Sequence, residues 1–265
     1  MHTQVMGIVN VTPDSFSDGG RFAHVDAAIA HGLQLAAEGA TIIDIGGEST
    51  RPGAVDVDPV EETERVLPVV RALAEHGLTV SIDTRHAATA AAAMQAGARI
   101  INDITGFVEP DLVRVAAETG ARVVISHSPS ADLATMHRSP SYDDVVAEVR
   151  DFLARRIDEC HDAGITDIIV DPGIGFGKHT EHNLALLASL EHLADLRRPV
   201  LVGVSRKRFI AELAGGASVD ERLGGTIAAG LAAVAHGASI LRVHDVAAHV
   251  QALHVWHAIA AHRPA

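Results

Sequence analysis

Eight short aliphatic runs recur along the chain, beginning near residues 4, 41, 79, 99, 122, 167, 199 and 239. Each is followed by an Ala-rich stretch with helical periodicity, over 25–38, 60–76, 86–97, 110–119, 143–163, 181–194, 220–236 and 245–261. Many of these stretches close on a glycine (Gly39, Gly77, Gly97, Gly120, Gly164, Gly237). Glycine ends helices because it adopts the left-handed C-terminal conformation without a steric penalty. Regular strand–helix alternation gives parallel strands, since each crossover helix returns the chain to the end where the last strand began. Eight such units are the number that closes a barrel, and 265 residues match the usual length of about 250. The expected fold is a (β/α)8 TIM barrel, with residues 1–265 as a single domain. An open doubly wound sheet is the alternative, but nothing in the sequence marks a topological switch point.

Polar motifs stand where the aliphatic runs stop: Asn10–Asp18 (NVTPDSFSD), Gly46–Gly53 (GGESTRPG), Ser81–Thr84 (SIDT), Asn102–Ile104 (NDI), Asp171–Lys178 (DPGIGFGK), Ser205–Lys207 (SRK) and Arg242–Asp245 (RVHD). In a βα barrel the C-terminal strand ends share one mouth, where the active site is built. These side chains are therefore expected to converge on one pocket. The connections 11–24, 46–59 and 128–142 are long and rich in turn residues, as active-site lids are.

Composition narrows the partners. Hydrophobic residues make up 48% of the chain but aromatics only 3%, so the core must be aliphatic. No apolar run approaches the ~20 residues of a membrane span, and the N-terminus has no signal-peptide pattern. One cysteine, Cys160, rules out an internal disulfide and suits a reducing cytoplasm. A formal charge of −13 argues against nucleic acid and anionic membranes as partners. It also makes a cluster of Arg51, Lys207 and Arg242 informative, as a local site for an anionic substrate. The 17 histidines include no HExxH and no zinc spacing. Most, including His249, His254 and His257, read as solvated surface residues.

Individual motifs carry different weight. Ser49, Thr50 and Arg51 offer hydroxyls and a guanidinium fork for phosphate or carboxylate; an ordinary solvated loop reads the same way. Asp83, Asn102 and Asp171 place carboxylates beside an amide, a match for a flat heterocycle bearing N–H and C=O groups. One such acid can simply cap a helix; three strand-end groups together make a site. Gly173–Lys178 fails the phosphate-loop pattern, since Pro172 replaces its first glycine and His179 follows Lys178. Phe176 is either a ligand-packing ring or a loop anchor. Lys207, flanked by Arg206 and Arg208, suggests an anion site more than a Schiff base, with Arg242 and His244 completing it after the eighth run.

Taken in order, GIVNVTPDSFSDGG, DIGGESTRPGA, SIDT, NDI, DPGIGFGK, SRKRFI and RVHDV make the chain resemble the dihydropteroate synthase family along nearly its whole length. The resemblance implies condensation of 6-hydroxymethyl-7,8-dihydropterin pyrophosphate with p-aminobenzoate in folate biosynthesis, through a pterin cation formed as pyrophosphate departs. It implies that Asp83, Asn102, Asp171 and Lys207 hold the pterin. Asn10 sits by Mg²⁺ and pyrophosphate, and Arg51, Arg242 and His244 grip the pyrophosphate, with Thr50 nearby. Phe16, Asp18, Pro52, Phe176 and Lys207 frame the aminobenzoate. Asp18, Asp83, Arg51 and Lys207 are the implied catalytic residues, Mg²⁺ the cofactor, sulfonamides the inhibitors and a homodimer the assembly.

One stretch departs from the family. Its usual Met-His-Met after strand five reads Ile125, Ser126, His127, Ser128 here. Residues two apart on a strand share a side, so His127 faces opposite to both serines; if it points outward to the barrel wall, the serines face the pocket. Two rival readings remain at this point. A pterin-dependent methyltransferase would share the acids but not the SRK and RVHD anion site. A noncatalytic pterin-binding paralogue would not need Asp18, Arg51 and Lys207.

Overall fold

The computed structural model describes residues 3–12, 21–49, 56–130 and 141–262, with the backbone alone at 21–23. Its strands are β1 (Gln4–Asn10), β2 (Ile42–Gly46), β3 (Val80–Asp83), β4 (Ile100–Asp103), β5 (Arg122–Ser126), β6 (Ile168–Asp171), β7 (Leu201–Val202) and β8 (Ile240–Val243). Neighbours run β6-β5-β4-β3-β2-β1-β8-β7, and the pairings are parallel. A parallel bridge from Val170 to Val200 joins the two ends of that order, and the Val170 amide donates to Pro199 O at 3.0 Å. The sheet is thus a closed barrel, and the open doubly wound alternative is excluded.

The helices are α1 (Arg21–Ala37), α2 (Pro59–Glu75), α3 (Ala87–Gln95), α4 (Pro110–Thr119), α5 (Val145–Asp162), α6 (Thr180–Ala188), α7 (Arg208–Leu213), α8 (Leu223–Ala235) and α9 (Val246–Ala261). Local chemistry starts them. The Asp58 side chain accepts from Val60 N at 2.8 Å ahead of Pro59, and Asp144 accepts from Val146 N and Ala147 N. Helix α5 buries Val145, Val149, Leu153, Ile157 and Cys160, one face of a 3.6-residue period.

Alternation along the strands makes two apolar layers. Outward side chains join the helices in the main core. Inward ones (Met6, Ile42, Ile100, Val124, Ile169, Leu201, Ile240) form a separate plug in the lumen. Two residues further along their strands come Asp44, Asn102, Ser126, Asp171 and Arg242. The period of two puts them in the same lumen, one step nearer the mouth. An aliphatic floor therefore carries a polar layer.

Four details differ from the sequence reading; one is that the expected helix 220–236 begins as a 3₁₀ turn, Val219–Arg222, ahead of α8. The expected helix 181–194 divides into α6 and a 3₁₀ turn, Leu190–Leu196, because Leu190 and Leu193 both bury and a three-residue turn superimposes them. Helix α7 starts within the SRKRFI motif and runs past it, an element that the sequence periodicity does not predict; its Phe209, Ile210 and Ala211 anchor it in the core. His249 is not a solvated residue: it is 1% exposed, and Nδ1 contacts Asp245 O at 2.7 Å. Apolar residues nearly encircle α9, so its wall-facing side takes in a histidine. Among the described residues, no helix is long and apolar enough to cross a membrane.

Candidate active site

The polar layer is one hydrogen-bonded network. Arg242 Nε donates to Asp44 Oδ2 at 2.6 Å, Arg242 NH2 donates to Asp83 Oδ2, and Asn102 Nδ2 donates to Asp44 Oδ2 at 3.1 Å. Strand β8 is separated from β2 by β1, and from β3 by β1 and β2. Bonds between those strands cannot run along the wall, so they cross the lumen. Burial pushes the Asp83 carboxyl up to about 7, Arg242 opposes it, and neighbouring Asp44 adds to the rise. Burial works against the Arg242 charge, but Asp44 and Asp83 outweigh it and hold the guanidinium protonated. Asp171 is also buried, which raises its pKa against the pull of Lys207.

The DPGIGFGK segment is a braced turn. Gly173 N donates to Asp171 Oδ1 at 2.7 Å, Gly175 N to Asn183 Oδ1 at 2.6 Å, and Tyr142 Oη to Gly177 O at 3.0 Å. Lys178 is 5% exposed and turned inward. Its Nζ donates to Gly173 O at 3.0 Å and Phe176 O at 3.2 Å, and meets His127 Nδ1 at 2.9 Å. Burial lowers Lys178 to about 7 and His127 to about 3. Gly173 has φ +68°, and a Cβ there would lie 1.9 Å from His127 O, so only glycine fits.

The last two strands bring cations. Lys207 Nζ donates to Ile174 O and lies 3.8 Å from the centre of the Phe176 ring, a cation–π contact. Its pKa falls to about 7, by burial first, with Asp171 opposing and Arg242 assisting. His244 Nδ1 meets Ser205 Oγ at 2.9 Å. The expected contribution of Arg206 and Arg208 to an anion site is not seen. Arg206 is paired fork-on with Asp245 at 2.7 and 3.1 Å, and Arg208 is exposed and pairs with Glu212. A proximal carboxylate captured each guanidinium, which the motif alone did not reveal.

Of the residues singled out from sequence, Asp83, Asn102, Asp171, Phe176, Lys207, Arg242 and His244 stand at the mouth. Asn10 ends β1 beside Gly46, half-buried. Phe16, Asp18, Thr50, Arg51 and Pro52 lie outside the described residues. Two mouth residues were missed: Asp44 and Lys178. Strand parity carried the signal for Asp44, since it sits two residues past Ile42 of the lumen plug. For Lys178 the sequence carries only a failed phosphate-loop pattern.

At the strand-five end, His127 faces the wall as expected, edge-on to Phe152 with ring centres 4.9 Å apart. Ser126 follows Val124 into the lumen. Ser128 departs from expectation: it lies past the end of β5 and its Oγ donates to Ser130 O at 2.6 Å, because strand alternation no longer governs it. A concavity of about 600 Å³ opens at the opposite end of the barrel, lined by Gly77, Gly97, Gly120, Arg99, Arg122 and Asp167. It holds none of the strand-end motifs. Among the described residues, no three His, Cys, Asp or Glu side chains cluster to hold a metal.

The sequence model of a family described as pterin binding enzyme matches residues 6–244, and the barrel with its acid-lined mouth falls in that class of enzymes. A dihydropteroate synthase of Mycobacterium leprae is 46% identical over 260 residues, covering 95% of this chain and 92% of that protein. The Xanthomonas albilineans dihydropteroate synthase with 4-aminobenzoic acid is 49% identical, with a TM-score of 0.93 over 99% of this chain and 94% of that one. In complex with 7,8-dihydropteroate, that enzyme matches at 47% identity and a TM-score of 0.89 over 99% and 95%. A sulfonamide drug complex of the Yersinia pestis enzyme matches at 43% identity and a TM-score of 0.92 over 98% and 95%. The chain belongs to the dihydropteroate synthase family, transferases of folate biosynthesis.

Proposed function

We propose that the barrel mouth condenses 6-hydroxymethyl-7,8-dihydropterin pyrophosphate with p-aminobenzoate, giving 7,8-dihydropteroate and pyrophosphate, with residues 1–265 acting as one pterin-binding domain. The observation that carries this reading is the meeting of four groups around the lumen: Asp83 and Asn102 stand in register on β3 and β4, and Lys207 lies within electrostatic reach of Asp171 and Asp83. Carboxylates accept from the ring N–H groups, the Asn102 amide serves both donors and acceptors, and the Lys207 ammonium donates. Arg242 has five N–H donors and gives one each to Asp44 and Asp83, so others remain for pyrophosphate beside His244, with Arg51 and Thr50 from the loop after β2. Phe16, Asp18, Pro52, Phe176 and Lys207 frame the arylamine.

The bond between the pterin methylene carbon and pyrophosphate breaks first, and its electron pair leaves with pyrophosphate. Arg51, Arg242 and His244 stabilise that growing charge. The carbon is left as a cation delocalised into the pterin, in the field of Asp83, Asp171 and Asp18. The arylamine nitrogen then attacks and loses its proton to solvent. The residues fit Mg²⁺ as an ion that arrives on the pyrophosphate: Asn10 offers one hard amide oxygen, and such ions commonly take few protein ligands beside substrate phosphates. When bound there, Mg²⁺ neutralises leaving-group charge. We further propose sulfonamides as inhibitors, acting as aminobenzoate mimics, and a cytoplasmic location in keeping with the single cysteine. The assembly we propose is a homodimer through the apolar groove between α6, α7 and α8, where Leu184 and Leu213 are exposed.

A substrate with ¹⁸O in the bridging position tests the order of events. Incubated with enzyme and Mg²⁺ but no arylamine, it is expected to return with label scrambled into the nonbridging phosphate oxygens. Unscrambled label in an enzyme that turns over normally with aminobenzoate contradicts the cation.

A further inference from the structure

We propose that Asp44 is a positioning residue for pterin recognition: without touching the ligand, it sets which end of the Asn102 amide faces the pocket and pins Arg242 across the lumen. This inference rests on the reading of the mouth as a pterin site. Asp44 is fully buried, and its Oδ2 accepts from two groups at once, Asn102 Nδ2 at 3.1 Å and Arg242 Nε at 2.6 Å. An amide's oxygen and nitrogen ends have nearly the same shape, so Asn102 has two rotamers of similar fit. An ionised carboxylate only accepts. The Asn102 group facing Asp44 must therefore be the NH₂, which leaves the amide oxygen and the second N–H hydrogen for a ligand.

The same carboxylate governs Arg242. Its guanidinium spans the lumen from β8 to Asp83 on β3. With Asp44 present, the guanidinium has two counter-charges, so Asp83 does not hold it alone and keeps capacity for a ring donor. Without Asp44, Arg242 would lean wholly on Asp83, and the freed amide of Asn102 would turn. Asp44 Oδ1 and Ser81 Oγ, whose residues are in register on β2 and β3, are buried and have no hydrogen-bond partner among the described residues. A buried carboxylate with an unpartnered oxygen is costly, yet Asp44 is kept in the polar layer beside Asn102 and Arg242. That favours a role in the site over a role in stability.

Steady-state kinetics on Asp44→Ala and Asp44→Asn, with pterin pyrophosphate, p-aminobenzoate and Mg²⁺, tests this. Asp44→Ala is expected to raise KM for the pterin substrate roughly 10- to 100-fold and leave KM for aminobenzoate within about twofold. Asp44→Asn keeps the shape and one acceptor but loses the charge and can also donate, so it is expected to recover only part of the loss. In an Asn102→Ala background the further change from Asp44→Ala is expected to shrink markedly, because the amide it orients is gone. Equal rises in both KM values, a full independent effect in the Asn102→Ala background, or wild-type kinetics in Asp44→Ala overturn the proposal. If Asp44→Ala fails to fold, Asp44→Asn decides: a wild-type pterin KM in that variant contradicts the need for a charged, acceptor-only side chain. A wild-type enzyme that makes no dihydropteroate contradicts the functional reading instead, so the two failures are distinct.

Discussion

Lys207 is the side chain on which ring, anion and loop converge. Its Nζ rests on Ile174 O and over Phe176, with Asp171 as its attractive charge. Replacing it with alanine removes a charge-assisted contact in a site poor in water, worth ~2–4 kcal/mol or ~30- to 1,000-fold in rate. Lys207→Ala is therefore expected to turn over at that reduced rate with an unchanged melting temperature. Near-normal turnover removes Lys207 from the mechanism. Asp171 has two duties, since Oδ1 already accepts from Gly173 N. Asp171→Asn keeps one acceptor for that turn and loses the charge, so calorimetric titration with a pterin analogue is expected to show affinity weaker by ~1–3 kcal/mol in a folded protein. Unchanged affinity means that the carboxylate serves the turn alone.

At the scale of elements, the pairing of His127 with Lys178 ties the end of β5 to the loop after β6. His127 is held neutral, its pKa lowered to about 3 by burial first and by Lys178 second. As pH falls through about 6.5, the unfolded chain takes up a proton on this residue and the folded chain does not, until about 3. Stability from the neutral imidazole is therefore lost progressively from about 6.5 downward, by up to about 1.4 kcal/mol per pH unit. Lys178, lowered to about 7, acts in another window: the unfolded chain holds the extra proton from about 7 upward, so its burial penalty eases as pH rises toward 10.5. Denaturant unfolding at pH 7 and pH 5 is expected to show a smaller acid loss in His127→Gln than in wild type, even if the variant is weaker at both. Equal losses contradict the pairing. The barrel itself was legible in the sequence because strand and helix periods differ and glycine closes the helices. The strand-end acids were legible for the same reason. Asp44 escaped because it sits inside an aliphatic run, and the capture of Arg206 by Asp245 escaped because it spans 39 residues. Helix α7 was hidden by the SRK motif that directly precedes it.

The whole molecule concentrates opposite tendencies in different places. A chain of charge −13 keeps Lys207 and Arg242 at one mouth, which suits a small anion and disfavours polyanions. The groove between α6, α7 and α8 exposes Leu213 at 60% and Leu184 at 41%. A leucine so exposed on an apolar groove is expected to bury against a second copy. Sedimentation of Leu213→Glu is expected to show monomer where wild type shows dimer, with the fold intact; dimer in both places the interface elsewhere. The central claim is the reaction at the mouth. Its most direct measurement supplies purified protein with 6-hydroxymethyl-7,8-dihydropterin pyrophosphate, p-aminobenzoate and Mg²⁺, and follows both products. The account predicts 7,8-dihydropteroate and pyrophosphate in equal amounts, with turnover falling sharply in Lys207→Ala. Pterin binding without either product, or transfer of a methyl group in place of the pterin methylene, would contradict it.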